Sequence, residues 1–128
     1  VTPYRILLVE DEGLIRLTLA ETLEEAGYTV VEAENGDQAC NLMKSINCID
    51  ILLTDIQMPG LADGIDVAQN FHALHPDRPV VFMTGRPDML SRVGCLSRSE
   101  TLLRKPFGST QMLTALESLL KPGAQETC

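Results

Sequence analysis

The chain has 128 residues, room for one ordinary domain, and 45% of them are apolar with no tryptophan, so its core is expected to be aliphatic. A formal charge of −8 argues against a nucleic-acid surface, which needs clustered lysine and arginine to neutralise phosphates. No apolar run approaches the roughly 18 residues of a membrane span, and Ile6–Val9 meets Glu10-Asp11-Glu12 too soon to be a signal-peptide core.

In chain order, Arg5–Val9 reads as a strand that ends in the acidic trio Glu10-Asp11-Glu12. From Leu14 to Ala26 the spacing turns helical, with Ile15, Leu19, Leu23 and Ala26 recurring at threes and fours, and Gly27 stands where a helix ends. Tyr28–Ala33 is β-rich, Asp37–Ser45 is a shorter helix, and Cys48–Thr54 is an apolar run closed by Asp55 and broken by Met58-Pro59-Gly60. A run apolar on both faces and bounded by proline and glycine suits a buried parallel strand. Gly60–Gly64 is a loop, Ile65–Leu74 a helix and Val80–Thr84 a fourth strand. Glycine, serine and arginine obscure the pattern from Asp88 to Glu100. Thr101–Arg104 is a fifth strand, and Ser109 is expected to cap a helix running to about Leu120.

Strands alternating with helices give an α/β domain on a parallel sheet. The domain is expected over residues 1–121, with a flexible tail at 122–128, and no repeat or linker marks a second one. The cysteines Cys40, Cys48, Cys95 and Cys128 form no C-x-x-C pair, and only His72 and His75 could join them, so no zinc site is expected. Scattered thiols suit a reducing cytoplasm. The chain begins with Val1, as a processed chain or a piece of a longer one would.

In a parallel sheet every strand ends on the same edge, where ligands of open α/β sheets bind. Glu10 and Asp11 follow the first strand, Asp55 the third, Thr84 closes the fourth and Lys105 follows the fifth. Taken singly each is ordinary: a solvated acidic loop, a helix cap, a β-branched strand residue, a turn. Together they bring three carboxylates, a hydroxyl and an ammonium to one edge. Carboxylates so close resist full ionisation without a cation. An all-oxygen ligand set favours Mg²⁺, and a carboxylate such as Asp55 can act as nucleophile toward phosphorus.

The motifs Leu8–Glu12, Leu53–Gly60, Met83-Thr84-Gly85 and Lys105-Pro106-Phe107 resemble those of bacterial response-regulator receiver domains, over essentially Arg5 to Leu120. The resemblance fits a stand-alone receiver or one excised from a hybrid kinase or larger regulator. It implies a flavodoxin-like, doubly wound sheet in the order 2-1-3-4-5 and a cis bond before Pro106. Asp55 would then accept phosphate from a histidine kinase or histidine phosphotransfer protein. Side chains of Glu10, Asp11 and Asp55, with the Gln57 backbone carbonyl, would hold Mg²⁺ (or Mn²⁺), and Thr84 and Lys105 would grip the phosphoryl oxygens. The chain would be no enzyme beyond its own phosphorylation and dephosphorylation. A downstream protein would bind the face built in the family from the fourth helix, fifth strand and fifth helix, and phosphorylation-linked dimers are also implied. Neither nucleic acid nor membrane is an expected partner of this domain.

The sequence also departs from the family. The position three before Lys105, usually aromatic and coupled to Thr84, is Leu102, so that coupling is not expected in its usual form. Gly60–Gly64 reads as one residue longer than in familiar members. Gly85-Arg86-Pro87 and Gly94 suggest a poorly formed fourth helix, with the segment from Arg86 to Glu100 mobile until phosphate arrives. By the same resemblance Gln57 and Arg86 hold the two variable positions that tune dephosphorylation. Two other readings are weaker. A phosphatase of the dehalogenase type would carry D-x-D on its first strand, and a receiver-like interaction module regulated without phosphorylation would not need the full acidic and basic set.

Overall fold

The computed structural model describes residues 3–60, 62–86, 96 and 99–120. Five strands form one parallel sheet: β1 (Arg5–Val9), β2 (Thr29–Ala33), β3 (Ile51–Asp55), β4 (Val80–Thr84) and β5 (Glu100–Arg104). The spatial order is β2-β1-β3-β4-β5. Four helices are described: α1 (Gly13–Glu25), α2 (Gly36–Ser45), α3 (Gly64–Leu74) and α4 (Ser109–Leu119). The parallel α/β sheet is the one expected from the alternation of elements, and its doubly wound, flavodoxin-like order is the one the family resemblance implied. The expectations for Gly94, for the expected tail and for most of the segment from Arg86 to Glu100 fall outside the described residues.

Alternation along each strand divides the core in two. Leu7, Val9, Leu52, Val80 and Phe82 face α2 and α3, where they meet Ala39, Met43, Val67, Ala68 and Phe71. Ile6, Leu8, Ile51, Leu53, Val81 and Met83 face α1 and α4, against Ala20, Leu23, Met112 and Leu116. β3 and β4 are buried at every position, which explains why their sequences are continuous apolar runs rather than alternating ones. Each such aliphatic side chain contributes about 1.5–3 kcal/mol on full burial.

Several boundaries differ from the sequence reading. Asp55 is the last residue of β3 rather than the residue after it, and Cys48–Asp50 precede the strand. The buried Asp50 carboxylate instead accepts the Arg5 backbone N–H at 2.8 Å and pairs with Arg78 at 3.7 Å, tying down the opposite end of the sheet. Ser109 is the first helical residue of α4, and the cap is Gly108, with no side-chain cap bond. Ala26 is the exposed C-cap of α1 and does not extend its buried face. Gly27 lies at φ +101 and closes α1 as expected: its N–H donates to the Glu24 carbonyl and that of Tyr28 to the Leu23 carbonyl.

The entry to α3 fixes the end of β3. Asp63 caps the helix, accepting from the N–H groups of Ile65 and Asp66, while Asp66 returns a bond to the Asp63 N–H. The Gly64 N–H donates to the Ile56 carbonyl at 2.7 Å, and any Cβ at residue 64 would collide with the Asp55 carbonyl. Gly64→Ala is therefore expected to cost about 2–3 kcal/mol through overpacking, measured by urea denaturation. A loss below about 0.5 kcal/mol would mean that the α3 entry yields without strain.

Candidate functional site

The register lines up the strand ends that the site needs. Val9 pairs with Ala33 and Thr54, Asp55 with Met83, and Thr84 with Arg104, so Glu10, Asp55, Thr84 and Lys105 emerge along one edge. Continued pairing holds two of them: the Glu10 N–H donates to the Ala33 carbonyl and the Lys105 N–H to the Thr84 carbonyl. The Lys105–Pro106 peptide is cis, as the family resemblance implied.

Lys105 is the hub. Its Nζ donates to Glu10 Oε1 at 2.8 Å and to Asp55 Oδ2 at 3.1 Å. Glu10 is fully buried, and its second oxygen accepts the Glu12 N–H at 3.0 Å. Arg16 of α1 donates to the Glu10 carbonyl at 2.8 Å and pairs with Glu32, so the acidic turn is held from both sides. That role for Arg16 had no visible signal in the sequence. Asp11 is exposed, yet ligand oxygens of Glu10, Asp11 and Asp55 all lie within 4.8 Å of one another.

One ammonium is shared unequally among these carboxylates. Burial opposes charge on Glu10, but the Lys105 and Glu12 hydrogen bonds outweigh it and hold its pKa below the usual glutamate range. Asp55 goes the other way: burial first, then the Glu10 charge, push it from 3.8 to about 7 despite Lys105. Burial and the Glu10 carboxylate raise Asp11 as well. Burial would lower Lys105, but its carboxylate partners, Glu10 foremost, raise it above its ordinary value and keep it charged. The expected reluctance of one carboxylate to ionise thus falls on Asp55.

Thr84 and Gln57 are placed beside the site but engage elsewhere. The buried Thr84 hydroxyl donates to the Arg86 carbonyl at 3.1 Å and accepts the Arg86 N–H at 3.0 Å. The exposed Gln57 side chain accepts a hydrogen bond from Arg86 Nη1 at 2.8 Å. The sequence set Gln57 and Arg86 beside the site without revealing that they touch. Leu102 is partly buried against the α2–α3 half of the core, paired in register with Phe82.

A family model described as the response regulator receiver domain matches residues 6–117. The chain belongs to the response-regulator receiver family. Among relatives, the response regulator MprA of Mycobacterium sp. (strain KMS) is 32% identical over 120 residues, 93% of this chain and 51% of that protein. The transcriptional regulatory protein CpxR of Escherichia coli K12 is 34% identical over 118 residues, 91% of this chain and 49% of that protein. The chain therefore spans about half the length of these curated relatives. A crystal structure of a receiver protein from Sinorhizobium medicae superposes with a TM-score of 0.86 at 31% identity, covering 96% of this chain and 98% of that one. The response regulator TrrA of Thermotoga maritima, crystallised with Mg²⁺ and BeF, gives 0.79 at 32% identity, covering 91% of this chain and 99% of that one.

The donor set fits a hard divalent cation. Three carboxylates converge with a single ammonium between two of them, leaving more negative charge than Lys105 neutralises. Because the folded-state acidity of Asp55 is weakened relative to the unfolded chain, its ionisation costs native stability. That cost is absent below about pH 4, grows to about pH 7 and is constant above. In metal-free protein, Asp55→Asn is expected to be more stable than wild type at pH 8 by about 2–4 kcal/mol, an advantage that fades toward pH 4. Urea titrations across that range check it, and equal stability at pH 8 would contradict the placement.

Proposed function

We propose that this domain accepts a phosphoryl group on Asp55 from a histidine kinase or histidine phosphotransfer protein. The acyl phosphate then shifts the domain to a conformation that a downstream protein reads. The observation that carries this reading is the Lys105 ammonium, bonded to both Glu10 and Asp55 beside a carboxylate cluster at the carboxyl edge of the sheet. A carboxylate oxygen of Asp55 attacks phosphorus as the bond to the donor imidazole nitrogen breaks. The imidazole leaves with that electron pair, and Lys105 stays within reach of the transferred oxygens. Glu10, Asp11 and Asp55, with the Gln57 carbonyl, would hold Mg²⁺ (or Mn²⁺), which supplies positive charge to the phosphoryl oxygens. The relative TrrA, crystallised with Mg²⁺ and BeF, supports that assignment by likeness. In this role the domain works in the cytoplasm and catalyses only its own phosphorylation and hydrolysis.

The phosphodonor protein would sit on the surface that leads to Asp55. α1 exposes Leu14 and Leu17, at 79% and 51% of their surface. A recess of about 410 Å³ beside that helix is lined by Ile15, Leu19, Lys105, Pro106 and Phe107. Lys105 belongs to both the recess and the site, so a partner covering this apolar patch is brought to Asp55.

Incubation with Mg²⁺ and a small phosphodonor should add one phosphoryl mass to wild type and none to Asp55→Asn. Equal incorporation in the variant would overturn the assignment. Leu14→Glu should slow transfer from the protein donor about tenfold more than transfer from the small phosphodonor, a difference of roughly 1.4 kcal/mol in donor docking. Equal slowing from both donors would remove α1 from the docking surface.

A further inference from the structure

We propose that the Gln57 side chain, acting through Arg86, holds the Thr84 hydroxyl turned away from Asp55 in the resting domain, so that release of this latch accompanies phosphoryl capture. The proposal rests on the phosphoacceptor reading of Asp55 and adds to it two positioning residues. A hydroxyl has one proton to donate, and Thr84 gives it to the Arg86 carbonyl at 3.1 Å while accepting the Arg86 N–H at 3.0 Å. An oxygen arriving on Asp55 therefore meets no donor at Thr84 until that bond to Arg86 is exchanged. Arg86 is held in turn: its Nη1 donates to Gln57 Oε1 at 2.8 Å, and Gln57 lies two residues beyond Asp55.

The two contacts close a ring across the ends of adjacent strands. It runs from Asp55 through Ile56 to Gln57, crosses to Arg86, and returns through Gly85 to Thr84, with Asp55 and Met83 paired in register at its base. Turning the Thr84 hydroxyl toward Asp55 gives up both bonds to the Arg86 backbone, and the Gln57 anchor, by holding Arg86 in place, favours keeping them. The latch also gives Thr84 a mechanical connection that does not depend on Leu102, which is already packed against the core. An exposed hydrogen bond of this kind shifts such an equilibrium by a factor of about two to ten.

Gln57 and Arg86 are both exposed, so their substitution leaves the core intact. The test compares wild type with Gln57→Leu, Arg86→Met, the double variant and Gln57→Glu, which keeps an acceptor. The first readout is the exchange rate of the residue-86 amide proton by NMR, without metal or phosphate. The second is the Kd for beryllofluoride in Mg²⁺. Both single variants should speed amide exchange and tighten beryllofluoride binding about threefold, the double variant should do no more than either, and Gln57→Glu, which keeps an acceptor for Arg86, should exchange no faster than wild type. Unchanged exchange in Gln57→Leu, or single-variant effects on Kd that multiply in the double variant, would overturn the latch. If wild type itself takes up no beryllofluoride, the phosphoacceptor reading fails, and the exchange rates alone decide the latch.

Discussion

Everything at the functional edge depends on one ammonium placed between two carboxylates. Lys105 bonds Glu10 at 2.8 Å and Asp55 at 3.1 Å, and Glu10, fully buried and backed by the Glu12 N–H, takes the larger share of its charge. Asp55 is left with an uncompensated burial cost and a like-charged neighbour, and it resists ionisation. A group in that condition is stabilised by additional positive charge. The same imbalance that weakens the metal-free site therefore favours a divalent cation, and with it a phosphoryl group whose oxygens need neutralising.

The fold exists around that edge in a specific sense. Two aliphatic half-cores clamp β3 and β4, the most completely buried strands, and so fix where Asp55 and Thr84 emerge. The α3 entry presses against the Asp55 carbonyl, where only a glycine at residue 64 fits. Rigid packing beneath and short turns above give the site its division of labour. Asp55 and Thr84 end buried strands and Glu10 and Lys105 are held by continued backbone pairing, whereas the Thr84 hydroxyl is bonded to the turn at Arg86, where its hydrogen bonds can be exchanged.

Much of this was legible in the sequence because parallel sheets convert one-dimensional punctuation into spatial coincidence. Each apolar run ends at a polar residue, and parallel pairing forces those residues to one edge, so the sequence pattern alone groups Glu10, Asp11, Asp55, Thr84 and Lys105. Contacts made by loops were not legible. The Gln57–Arg86 bond and the turning of the Thr84 hydroxyl onto Arg86 depend on loop torsions that no periodicity encodes. Ser109 looked like a cap because serine favours that role, yet the chain enters α4 through Gly108. Asp50 just precedes β3 and Asp55 ends it, five residues on, and the Arg5 and Arg78 contacts mark Asp50 as a structural tie. Burial alone does not separate them; what surrounds each carboxylate does.

The unequal sharing of Lys105 can be read directly at the carboxyl carbons. In metal-free protein labelled with ¹³C at aspartate, an NMR titration should show Asp55 ionising near pH 7, well above its ordinary 3.8, with the midpoint falling when Mg²⁺ is added. An Asp55 signal that titrates near 4 without metal would contradict the account. It would mean that Lys105 compensates both carboxylates and that the site carries no charge deficit for a cation to fill.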